Sequence, residues 1–134
     1  MSNPIEVVLQ FEQAINSRDP EAICSLMSGD AEFIDSLGNR IQGTEKLRAA
    51  WAGYFKMVPD YSISHSEVFA DGNTMAIFGS AQGTFSKDRR LPRENFWKTP
   101  VACRAVSRND KITLWQVYAD SEPIRAIMRK SSAG

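Results

Sequence analysis

The hydrophobic period of this chain changes once, at Pro59-Asp60, and that change restricts which classes of fold are open to it. Before that point apolar side chains recur every three or four residues, as they do in helices that bury one face. After it they alternate with polar ones, as they do in strands with one face in a core. Val8, Phe11, Ala14 and Ile15 form the first helical stripe, which ends near Asn16. Ser2 or Asn3 can cap this helix, with Pro4 pre-set for its first position and Glu6 placed in its first turn. Asp19-Pro20 restarts a helix by the same rules, with Ile23, Leu26 and Met27 as its apolar face and Ser28-Gly29 as its stop. Gly43-Thr44 opens a third helix, carrying the bulky stripe Leu47, Trp51, Tyr54 and Phe55.

In the second half Tyr61, Ile63 and His65 alternate with serines, Asp71-Gly72 signals a hairpin, and Met75 to Phe85 returns as a strand. Phe96 to Ser107 and Ile112 to Ala119 follow as two more, with Pro100 marking a bulge or an edge. The charged stretch from Ser86 to Asn95 between them reads as a solvated loop or as part of a pocket mouth. From Ser121 a short helix carrying Ile124, Ile127 and Met128 is expected. Helices first and an antiparallel meander afterwards predict an α+β fold with the helices packed on one face of a curved sheet. One phase of the second long strand shrinks from Met75 and Ile77 to Gly79, Ala81 and Gly83. Such narrowing either leaves space for a pocket or serves close helix–sheet packing or a bulge.

With 134 residues, 43% of them apolar, the chain is expected to form one domain over 1–134, its core about 5–125 and its tail 126–134. Sixteen basic residues balance sixteen acidic ones, which leaves no electrostatic footprint for nucleic acid or an anionic membrane. Apolar runs are too short to span a bilayer, and no basic region followed by an apolar one marks a leader. Cys24 and Cys103 lie far apart without metal or redox spacing, as expected of two buried thiols in a cytoplasmic protein. One histidine and scattered acids show no ligand spacing, so no metal site is expected.

The candidate chemistry gathers around Asp30-Ala-Glu-Phe-Ile-Asp35-Ser-Leu-Gly38. Phe33 and Ile34 end a short apolar run directly before Asp35, and Ser36-Leu-Gly38-Asn39 is turn chemistry. A carboxylate there either faces a cavity from rigid backbone or closes an Asx turn. His65, the single histidine, shares the phase of Ile63 and is the candidate proton partner of Asp35. Candidate lining residues are Phe11, Trp51, Phe55, Ile63, Gly79, Ala81, Trp97, Cys103, Trp115 and Val117, together with Tyr54, although aromatic side chains also serve plain core packing.

The order Phe11, Asn16, Asp19, Leu26, Asp30-Ala31, Phe33, Asp35, Gly43-Thr44, Leu47, Asp71-Gly72, Gly83-Thr84, Lys111-Ile112 and Trp115 to Asp120 resembles the SnoaL-like group. That group belongs to the superfamily of nuclear transport factor two and ketosteroid isomerase. The resemblance covers about residues 5 to 125. It implies a cone-shaped α+β barrel, three N-terminal helices packed on a strongly curved antiparallel sheet, whose interior binds a small, largely apolar molecule. It further implies a homodimer through the outer sheet face, no cofactor, and isomerase, cyclase or dehydratase chemistry with Asp35 as acid–base. Non-catalytic binding proteins and interaction modules share the fold, so the resemblance leaves those roles open. Against ketosteroid isomerases, the positions of the two hydrogen-bond donors hold Phe11, which has no hydroxyl, and Cys103, a poor donor. The epoxide-hydrolase branch needs an Asp-Arg-Asp constellation that Arg104 and Asp120 do not form.

Overall fold

The computed structural model describes residues 3–133, so Ser2, one of the two candidate caps, lies outside them. Helix α1 (Pro4–Ser17) starts on Asn3, whose side-chain oxygen accepts the Ile5 N–H, and stops at Arg18 in left-handed backbone. Helix α2 (Pro20–Ser25) starts on Asp19 in the same manner. It is shorter than its apolar stripe predicts, because Met27 already belongs to strand β1 (Met27–Ile34). The Leu26 carbonyl accepts the Ile112 N–H, so a strand far along the chain claims the segment that the local pattern assigns to helix. Ser28, Gly29 and Asp30 therefore stand inside β1 instead of ending a helix.

Strand β2 (Arg40–Gln42), helix α3 (Thr44–Met57) and strands β3 (Ser62–Asp71), β4 (Thr74–Thr84), β5 (Phe96–Arg108) and β6 (Lys111–Ala119) follow, and helix α4 (Glu122–Ala133) comes last. The architecture is the cone-shaped α+β barrel, its six strands ordered β2-β1-β6-β5-β4-β3. Strands β3 to β6 make the expected antiparallel meander. β1 departs from it, running parallel to β6 with Phe33 opposite Trp115, so the sheet is mixed and not antiparallel throughout. Turn chemistry announces antiparallel neighbours, whereas a parallel pair is joined by everything between its strands and leaves no local mark.

Alternation holds best in β5, where Trp97, Thr99, Val101, Cys103, Ala105 and Ser107 are all buried. Pro100 sits where β5 outruns β6, whose pairing begins with Ala119 opposite Val101, so its missing N–H breaks no bond to β6. The edge strand β3 is sealed at its start by Asn16 of α1. That side chain donates to the Ile63 carbonyl at 2.9 Å and accepts the Ile63 N–H at 2.8 Å.

The small residues of β4 serve close packing, not a void. A Cβ on Gly83 would lie 2.4 Å from Val58 Cγ1, and one on Gly79 would lie 1.9 Å from the Ser64 carbonyl oxygen. The second approach comes from a register shift in β3 between His65 and Glu67, which carries the β3 backbone over Gly79.

Candidate functional site

A cavity of about 340 Å³ lies between α3, α4 and the β1–β6 pair. Phe33 comes from β1, Trp115 and Val117 from β6, Trp51 and Tyr54 from α3, Tyr61 from the approach to β3, and Ile124 and Met128 from α4. Rings continue from one side to the other: Phe33 meets Trp51 at 5.4 Å, Trp51 stacks on Phe55 at 5.7 Å, and Tyr54 meets Tyr61 edge to face at 5.0 Å. Such a wall favours a flat apolar molecule, because aromatic pairs gain from face and edge contacts beyond the area they bury. The apolar stripe of α4 was legible in the sequence. That it covers the cavity was not, since the helix's docking face is a tertiary property.

Asp35 is the one charged residue among those lining the cavity, and it is also the hub of a turn. Its Oδ1 accepts the N–H groups of Leu37 and Asn39, both at 2.9 Å, and its Oδ2 accepts Asn39 Nδ2 at 3.0 Å. Gly38 takes φ +87° in this turn, a conformation that costs other residues about 1 kcal/mol or more. The two sequence-level alternatives for Asp35 therefore coexist. A carboxylate offers about four acceptor positions, and the turn fills three, leaving one on Oδ2.

The structure does not join His65 to Asp35. The histidine turns toward the helices, as its phase implies, but at the sheet edge, where its Nδ1 lies 2.7 Å from Oε1 of Glu12 on α1. Glu12 is buried and takes the role of partner that the sequence reading gave to Asp35. Trp51, Trp115 and Val117 stand in the cavity wall, whereas Phe11, Phe55, Ile63, Ala81, Trp97 and Cys103 are buried in the core around it. Gly79 stands under the β3 bulge. Tyr61, Ile41, Ala50, Met57 and Ser121 are the wall residues that the sequence gave no reason to single out. Tyr61, Met57 and Ser121 come from element ends and Ile41 from a three-residue strand, where periodicity says least.

Both cysteines are buried and free. Burial, reinforced by the negative charge of Glu12, pushes the Cys103 thiol up to about 12. Burial also raises Tyr54 and, together with Tyr54, Cys103 and Glu12, raises Tyr61 well above the ordinary phenol value. The folded state thus holds these protons more tightly than the unfolded chain. Their contribution to stability is complete below a free thiol's value of 9.0 and is lost as pH climbs toward 12. Urea unfolding between pH 8 and 11 is expected to show this loss, with a slope approaching about 1.4 kcal/mol per pH unit for each group. A flat profile over that range would contradict the burial of these groups.

None of the described helices is long and apolar enough to cross a membrane. Residues 8–115 match the model of the SnoaL-like domain. No curated protein matches the chain significantly. Among solved structures, a hypothetical protein with a ketosteroid isomerase-like fold from Catenulispora acidiphila, in complex with trimethylamine, is 20% identical. The match covers 90% of each chain with a TM-score of 0.78. A putative SnoaL-like polyketide cyclase from Shewanella denitrificans is 12% identical over 95% of this chain and 97% of its own, with a TM-score of 0.80. TerC, co-crystallized with polyporic acid, is 19% identical over 96% of this chain and 99% of its own, with a TM-score of 0.78. At these identities the likeness establishes the fold.

Proposed function

This chain belongs to the family of SnoaL-like domains, and from that premise we propose that it binds a small, largely apolar, carbonyl-bearing molecule in the cavity beneath α4. One observation carries the reading: an aromatic-walled cavity whose lining holds its charge in a single carboxylate, Asp35. About 340 Å³ falls within the usual range for small-molecule sites and suits a compact two- or three-ring compound. Two structural neighbours, a putative polyketide cyclase and a protein crystallized with polyporic acid, support ligands of this kind.

A second reading, acid–base catalysis by Asp35 in an isomerase, cyclase or dehydratase, draws support from the acceptor position left on Oδ2. A carboxylate fixed by three hydrogen bonds at a cavity wall is oriented for proton transfer to or from a bound molecule. His65 has no part in it. Asp35→Asn is expected to keep affinity for a ligand within a few-fold and to lower its conversion about a hundredfold or more. Unchanged conversion removes Asp35 from the chemistry, and no conversion by the wild-type protein leaves binding as the function.

A second copy of the chain is the partner proposed for the outer sheet face. Phe69 and Phe78 are exposed there with their rings 6.1 Å apart, and Tyr118 is exposed on the same face of β6. Light scattering after size exclusion is expected to give a dimer, and Phe78→Glu a monomer with unchanged ligand affinity. A monomeric wild type would overturn this assignment.

A further inference from the structure

Two phenol groups at this cavity lack a hydrogen-bond partner. Tyr54 near the end of α3 and Tyr61 ahead of β3 both line it, and among the described residues neither hydroxyl is hydrogen-bonded. Beside Tyr61, with ring centroids 6.2 Å apart, stands Trp97, whose indole N–H is buried with no acceptor. This region of the molecule therefore gathers three donors that have no acceptor. Only the Trp97 N–H is both buried and unpaired here; the two hydroxyls stay open to water at the cavity wall, and an acceptor arriving from outside the chain can take the place of that water. Burial keeps both phenols protonated and hence able to donate.

The remaining polar groups of the cavity come from other elements. Asp35 and Ser36 follow β1 and Ser121 follows β6, the two parallel neighbours, whereas Tyr61 precedes β3 at the other end of the sheet. We propose that Tyr54 and Tyr61 are the specificity pair of this site, donating hydrogen bonds to a ketone or quinone oxygen of the occupant. Phe11 and Cys103, at the positions where the resemblance implies donors, are core residues. The donors come instead from α3 and the entry to β3. The occupant so defined has two unlike ends: an acceptor oxygen toward the tyrosines and a hydrogen to share, or to lose, toward Asp35.

This inference rests on the binding reading above, and the test separates the two. Affinities of 1-tetralone and of tetralin, its hydrocarbon isostere, are measured by equilibrium dialysis for the wild type, Tyr54→Phe, Tyr61→Phe and the double variant. The ratio of the two affinities cancels whatever the substitutions do to the cavity's shape. The preference for tetralone is expected to fall roughly tenfold in the double variant and by part of that in each single one, the worth of one or two net hydrogen bonds. Melting temperatures of all three variants are expected to be unchanged or raised, because no hydrogen bond within the protein is lost. An unchanged ratio overturns the proposal while leaving the cavity a binding site. So does a ratio that falls only together with melting temperature, since the hydroxyls then serve the fold. If neither molecule binds the wild type at its solubility limit, the binding reading fails and this inference fails with it.

Discussion

Trp115→Ala is expected to lower the free energy of unfolding by about 4 kcal/mol, the upper range for truncating a large core side chain. Trp115 is 1% exposed, packs its ring against Phe11 at 4.9 Å, and at the same time forms part of the cavity wall. Its neighbours cannot collapse into the space left behind, since the strand that bears it is held by β1 on one side and β5 on the other. The new void merges with the existing cavity, so ligand affinity should fall as well. Urea midpoints at neutral pH provide the check, with Trp115→Phe as the control that keeps a ring against Phe11 and loses much less. A loss below about 1 kcal/mol for the alanine variant would mean that the barrel relaxes around the site far more than a packed interior allows.

Gly79→Ala, the smallest possible addition, is expected to cost about 3 kcal/mol. The added methyl carbon would sit 1.9 Å from the Ser64 carbonyl oxygen and 2.6 Å from the His65 Cα, both of them backbone, so no side-chain rotation relieves the clash. The β3 bulge must open, and with it the edge that His65 and Glu12 tie to α1. Gly29→Ala is the matched control: a Cβ there meets nothing within 4 Å, and its effect should stay within about 0.5 kcal/mol. Equal effects at the two sites would show that β3 does not lie over Gly79 as described.

The elements that the sequence disclosed are those whose cause is local. Asn3 and Asp19 announce helix starts, the long alternation of β5 announces its buried face, and Asp71-Gly72 announces a hairpin. What it hid depends on partners distant in the chain. Met27 reads as the end of a helical stripe until Ile112 offers a strand to pair with. Gly79 and Gly83 read equally as room or as close packing until the neighbours that decide it, Ser64 and Val58, are placed. His65 was assigned the right side of its strand and the wrong carboxylate, because alternation gives direction but not which helix waits there. Asp35 was found from its position between strand and turn, and that same position explains why both of its alternatives hold at once.

The parallel pairing of β1 with β6 also has a consequence for the order in which the molecule assembles. β1 joins residues 27–34 to residues 111–119, and its other neighbour is the three-residue β2. The loop-closure entropy of that long connection must be met before the pairing returns any contacts, which favours slow, late docking of the amino-terminal part. The meander from β3 to β6, by contrast, closes through two tight turns and one loop over residues 85–95, all far shorter than the β1–β6 connection, and can form first. On a ribosome, β1 and the helices beside it would emerge well before β6, and β1 would wait for that later strand to give it its place.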